Sequence, residues 1–278
     1  MARRVLQYFE WDDHGSSTFY TPGHVDGGSF DNDGAIEWET GMGGVATEAY
    51  GMVTPGGSVT FRPTSATFLN KCLRASWTSS PTALIIRTGT TSEAYTHDYA
   101  YCRSLRLEGS VNSRLAATMS WLATTPDAVA VPTWGAHHTG NPFAWHQGVC
   151  TVGGSALSMQ DFSVEVTNNL TAHGSLDSKS AGSQRIADEI TGHNVDYTFS
   201  CTVHVPPGSG NIDNWGDAAT VSSVASLAFT SATPTTLTLA LTNLGLKTWK
   251  MNFVKSDGVA SWTLDFVGKT NGGCLVIS

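Results

Sequence analysis

The sequence predicts an all-β protein with one or two short helices, and three observations lead there. Residues Val195–His204 alternate apolar or aromatic with polar side chains for five cycles. Successive side chains on a strand point to opposite faces, so such a segment buries one face and wets the other. The same alternation recurs elsewhere, as in Phe162, Val164 and Val166 against Ser163, Glu165 and Thr167. Charged residues make up only 14% of the 278 residues, and Ser, Thr and Gly take their place, the composition of short strands joined by tight turns.

Taken in order, residues 1–45 form a distinct opening. A short apolar-aromatic start (Val5, Leu6, Tyr8, Phe9, Trp11) precedes a tract, 23–34, whose four glycines and three aspartates predict a loop. The segment reads either as a poorly ordered terminus or as an arm that orders against a neighbouring subunit, and the early aromatics favour the arm. Strand signals begin at Ser58–Arg62. Thr64 is placed to cap a short helix carrying Phe68, Leu69, Leu73 and Trp77 on one face. Thr82–Thr88 reads as a largely buried strand. Ser104–Ser110 puts Leu105 and Leu107 on one face and Arg106 and Glu108 on the other. A turn at Asn112-Ser113 then leads to a partner in which Leu115, Ala117, Met119 and Trp121 alternate with small or polar residues.

Residues 124–148 hold three prolines, three histidines and two tryptophans without a steady period, which predicts a long loop. Strands follow at Gly148–Val152 and Asp161–Thr167. A polar excursion over 171–193 leads into the strand at 195–204. Beyond Pro206-Pro207-Gly208, a helix is expected from Asp213 or Asn214 through Leu227. Strands are expected at Thr235–Thr242, Thr248–Val254 and Ser261–Val267, the last two joined at Asp257-Gly258. With eight to ten strands, no hinge-like linker and no short repeat, one domain of sandwich or barrel type fits best: 46–278, with 1–45 as an N-terminal extension.

The formal charge of −8 argues against a protein that grips nucleic acid, since that affinity comes from Lys and Arg neutralising phosphates. Five scattered cysteines without a CxxC pair read mostly as buried free thiols. The N-terminus lacks the apolar core of a signal peptide, and no apolar run approaches the ~20 residues of a membrane span. Synthesis in a reducing cytoplasm is expected, and the sequon at Asn169-Leu170-Thr171 is then a coincidence.

Little chemistry is written into the chain. His137, His138, His146 and Cys150 are the nearest approach to a metal set, but adjacent histidines on a loop seldom face one centre. Asp31-Asn32-Asp33-Gly34 resembles a calcium loop whose spacing to Glu39 fails. No nucleophile elbow, phosphate loop, dinucleotide fingerprint or zinc-protease motif is present. Neither a catalytic residue nor a cofactor or metal is expected. Nine tryptophans suit a sugar-binding platform, although Trp121, Trp249 and Trp262 fall at positions that alternation assigns to the core.

Three segments, in order, resemble the tail tube proteins of long-tailed, siphovirus-type bacteriophages. They are Gly57–Trp77, with its strand and short apolar helix; Ala100–Ala123, with its hairpin; and Phe162–Leu170, with Asn168-Asn169-Leu170 ahead of Ile190-Thr191-Gly192 and the long alternating strand. The endings Met251–Val267 and Gly272–Ile277 are similar too, so the resemblance spans roughly 45–277. It implies a β-sandwich subunit whose sheets join into a continuous barrel in six-fold rings, stacked as a tube within the virion. It also implies a tape-measure protein in the lumen, tail terminator and distal tail proteins at the ends, and viral DNA passing through without specific binding. A negatively lined lumen lets DNA slide, and Glu108, Glu165 and Asp196 are the expected lumen-facing residues. The loop 133–147 or the excursion 171–193 is expected to make ring-to-ring contacts. The competing readings are a carbohydrate-binding or adhesin-like sandwich, and another tail component on the same fold.

Overall fold

The computed structural model describes residues 8–16, 18–40, 46–76, 78–135, 140–152, 155–156, 159–174, 189–204, 225–230, 236–252, 261–268 and 273–278. It is an all-β protein. The first part runs β1 (Tyr8–Asp13), β2 (Gly23–Thr40), β3 (Ala46–Pro63), α1 (Thr67–Lys71), β4 (Leu84–Gly89), β5 (Ala94–Ser110), β6 (Ala116–Leu122) and β7 (Thr125–Val129). Then come β8 (Gly148–Val152), β9 (Ser155–Ala156), β10 (Met159–Thr167), β11 (Leu170–His173), β12 (Glu189–Gly192) and β13 (Asp196–Val203). The chain closes with β14 (Ala225–Thr230), β15 (Thr236–Leu241), β16 (Leu244–Asn252), β17 (Ser261–Gly268) and β18 (Leu275–Ile277).

A central sheet carries the order β16-β17-β13-β10-β5-β6-β3-β2, antiparallel at every step. The long strand β5 belongs to two layers. Its second half lies between β6 and β10, while its first half lies between β4 and β7, with β1 beyond β4. The turn between layers falls at Asp98–Tyr99, where the register slips against β4 and Tyr99 adopts φ +47°. An extra residue in one strand bends it and sharpens its twist, which is what a change of layer needs. A second sheet, β18-β15-β14-β8-β9, and a small hairpin, β11-β12, complete the fold.

One core fills the space between these layers. Phe9, Trp11, Phe61, Phe68 and Trp121 cluster where β1 and α1 cover the central sheet, with ring centroids 5.1–6.0 Å apart. Under the second sheet, Phe162 meets Phe229 at 5.9 Å, and Leu227, Leu237, Leu239 and Ile277 are buried beside them. Gly57 shows why a strand here tolerates a glycine: a Cβ would stand 2.5 Å from the Trp121 ring. Cys72, Cys102, Cys201 and Cys274 are buried free thiols, as expected. Burial, reinforced by Cys72, pushes the Cys102 thiol well above its ordinary pKa.

Several expectations need correction. The tract 23–34 is strand, because β3 pairs with it from Gly23↔Pro63 onward and satisfies its backbone without help from apolar side chains. Thr64 is buried and does not cap α1; the N-cap is Ala66, without a side-chain bond, and burial of Phe68 and Leu69 holds this single turn in place. The stretch 124–148 contains β7, paired to the first half of β5. Leu227 lies on strand β14, so the expected helix does not reach it; residues 205–224, Trp77, His137, His138 and Asp257-Gly258 lie outside the described residues. Among the described residues eighteen strands replace eight to ten, since pieces as short as β9 and β18 are too brief to show a period.

Candidate functional surface

The central sheet has two chemically opposite faces. One buries Val59, Phe61, Leu105, Leu107, Met119, Trp121, Val164, Val166, Phe199, Leu264 and Phe266. Alternation then forces the intervening residues onto the other face, and the pairing register arranges them in rows. In one row Ser29, Ser58, Ser120, Ser104, Thr167 and Asp196 stand opposite one another across β2, β3, β6, β5, β10 and β13. The next holds Thr60, Thr118, Arg106, Glu165 and Thr198. A third holds Ala116, Glu108, Ser163, Ser200, Asp265 and Thr248.

Neighbouring hydroxyls bond to one another: Ser104 to Ser120 at 2.7 Å, Ser29 to Ser58 at 3.2 Å and Thr60 to Thr118 at 3.2 Å. Asp265 accepts from Ser200 at 2.6 Å and from Thr248 at 2.7 Å. These cross-strand contacts tie the strands together on the wet side of the sheet.

The structure places all three expected residues here. Glu108, Glu165 and Asp196 occupy adjacent strands in successive rows, a diagonal across β5, β10 and β13. Glu108 and Asp196 are exposed and Glu165 is half-buried. Glu108 pairs with Arg106 at 3.0 Å, both side chains about half exposed, and such a pair contributes at most about 1 kcal/mol. Asp196 accepts from Asn169 at 2.7 Å. With Asp161 and Asp265 on the same face, five carboxylates on β5, β10, β13 and β17 stand against Arg106, the neighbouring Arg114 and the Lys250 of β16.

A family model of the phage tail tube protein matches residues 26–202. The chain belongs to that family. No curated protein matches it. The matched span runs from within β2 to the penultimate residue of β13 and so takes in six of the strands that build the hydroxyl face of this tail tube protein. It overlaps the resemblance read from 45–277 over residues 45–202 and extends it into β2. A tail tube protein is a structural component of the virion tail.

Around this face, sequence reasoning missed one group of residues. Arg74 is 4% exposed and lies beneath the β11-β12 hairpin. Its Nη1 donates to the carbonyls of Asn168 at 3.2 Å and His193 at 2.9 Å, one at each foot of the hairpin, and its Nε and Nη2 donate to Ser79 O. Asn168, also buried, donates to the carbonyls of Cys72 at 3.0 Å and Cys102 at 2.8 Å. Gly192 has no Cβ because one would lie 2.4 Å from the guanidinium. The excursion 171–193 of this tube protein therefore leaves the body from a fixed base; residues 175–188 lie outside the described ones. The only sequence signal was a lone Arg in a short apolar run, Leu73–Ala75.

Of the metal candidates, His137 and His138 lie outside the described residues. Among the described residues no three His, Cys, Asp or Glu side chains gather as a metal set. His146 is exposed beside Trp145, and Asp31–Gly34 is extended strand rather than a calcium loop. Trp121 is core as expected and Trp262 is partly buried against the core, but Trp249 is 51% exposed, because among the described residues β16 is the outermost strand of the central sheet.

Proposed function

We propose that this chain is the repeating subunit of a phage tail tube: it closes into hexameric rings that stack into a hollow conduit, and the hydroxyl face of the central sheet lines the channel through which DNA is ejected. The observation that carries the reading is that face itself, within a chain of the tail tube family. Rows of Ser and Thr hold water, and the carboxylates Glu108, Asp161, Glu165, Asp196 and Asp265 outnumber Arg106, Arg114 and Lys250 beside them, so the wall repels phosphates instead of trapping them. The opposite face is committed to the core and is not available for this purpose.

The partners that follow are other copies of the chain, a tape-measure protein filling the channel before ejection, and terminator and distal proteins at the tube ends. The loops 133–147 and 171–193 bridge successive rings, the second held at its base by Arg74. No catalytic step is required of any residue.

Negative-stain electron microscopy at rising concentration tests the proposal. Hollow tubes with a regular ring repeat are expected. A dispersed monomer at every concentration, with or without pre-formed tail tips as initiators, contradicts it. Deleting 176–187 within the excursion should leave a folded monomer that forms no tubes.

A further inference from the structure

A cavity of about 360 Å³ opens between the two sheets at one end of the fold, in the size range of small-molecule sites. β5, β10 and the end of β13 border it on one side, and β8 and β14 on the other. Phe162, Leu227 and Phe229 are buried and form its floor. Trp145 stands on its wall, 41% exposed, whereas Trp11 and Trp121 are buried. The backbone that carries this ring is fixed to the β5–β6 turn: Trp145 N donates to Ser113 O at 3.1 Å, and Leu115 N donates to Phe143 O at 2.8 Å. Polar side chains gather at the rim. Asp161 is exposed and enters no ion pair among the described residues. Gln160 and His204 bond to each other through the Nε2 atom of each. In either amide orientation that pair keeps one donor and one acceptor unspent, on the rest of the amide and on Nδ1.

We infer that this cavity binds a neutral saccharide, a function that goes beyond the tube and does not depend on it. A pyranose ring has an apolar C–H face and an edge of hydroxyls that both donate and accept. Trp145 and the phenyl floor match the face, and Asp161 with the Gln160–His204 pair matches the edge. Other classes of small molecule leave groups unmatched. No Lys or Arg lines the cavity, so an anionic sugar, a phosphate or a nucleotide would face Asp161 without a counter-charge. An organic ammonium satisfies Asp161 but only donates, which leaves the donor of the Gln160–His204 pair without an acceptor. A purely apolar ligand would cover these polar groups and satisfy none of them. Because the backbone of Trp145 is anchored before any ligand arrives, less ordering is required on binding.

Ligand-observed NMR and tryptophan fluorescence on the full chain test the site, with glucose, galactose, mannose, N-acetylglucosamine and their common disaccharides as probes. At least one probe is expected to bind saturably, in the millimolar range or tighter. Trp145→Ala and Asp161→Asn should each weaken that binding about tenfold or more, with circular dichroism unchanged. Trp249→Ala should leave it as it is, since that indole stacks on Trp262 at 5.4 Å and does not line the cavity. Absence of binding by every probe, or wild-type binding in either W145A or D161N, overturns the assignment. So does loss of binding in W249A, or tighter binding of glucuronate or cyclohexylammonium than of any neutral sugar. Assembly is read separately by microscopy. A chain that forms tubes and binds no sugar loses only this site, and one that binds sugar and never assembles loses only the tube.

Discussion

The two faces of the central sheet share the same strands and the same hydrogen bonds, yet they carry different burdens. On the inner face, Phe, Trp, Leu and Val side chains are removed from water and hold the fold together. On the outer face, Ser104 bonds to Ser120 and Thr118 to Thr60, Thr167 and Thr198 stand in the same rows, and little apolar surface is buried. Stability therefore lives on one face, and the other, on the function proposed above, is shaped by what passes over it. Changes on the inner face should unfold the protein, and changes on the outer face should leave stability alone and act on the assembled tube.

The largest effect is expected from Trp121→Ala. Its ring is 1% exposed, sits edge-on to Phe9 at 5.5 Å and fills the space above Gly57. Truncation leaves a large cavity and should cost about 3–5 kcal/mol in urea unfolding.

Next is pH. His97 lies on the first half of β5, fully buried, with Nε2 3.1 Å from Thr88 Oγ1, and burial lowers its pKa to about 4. The unfolded chain takes up this proton below about pH 6.5, whereas the folded one resists until about 4. Stability contributed by the neutral ring is thus complete above pH 6.5 and is lost as pH falls towards 4, by up to about 3 kcal/mol. Thermal unfolding between pH 7 and 4 should show a slope that His97→Leu reduces.

A smaller loss, about 2–3 kcal/mol, is expected for Arg74→Met, which strips buried carbonyls of their donor. Hydrogen exchange should rise at 168–173 and 189–194 and stay unchanged in β10 and β13. The smallest effect belongs to the outer face: Thr118→Ala, Glu165→Gln and Asp196→Asn should each shift unfolding by less than about 0.5 kcal/mol. Shifts there as large as those of Trp121 would erase the division between the faces.

How far the sequence could be read follows the same division. Where a strand has one wet and one dry face, period-two alternation is visible, and the second half of β5 together with β6, β10, β13 and β17 was legible. So was the shared side of Glu108, Glu165 and Asp196, because each sits between two core residues. β2 was not legible: its glycines and aspartates carry no alternation, and it is a strand because β3 lies beside it. Trp249 misled for a related reason, since alternation assigns a face but not a position at the centre or edge of a sheet. Arg74 left almost no signal because its partners Asn168 and His193 lie 94 and 119 residues away.

The most direct test of the account is a reconstruction of the assembled tube by electron cryo-microscopy at side-chain resolution. The account predicts that Glu108, Glu165 and Asp196 lie on the channel wall among the rows of Ser and Thr, with the second sheet, β18-β15-β14-β8-β9, outside. A tube whose channel is lined by the second sheet, with those three residues on the outer wall or buried between subunits, would contradict it.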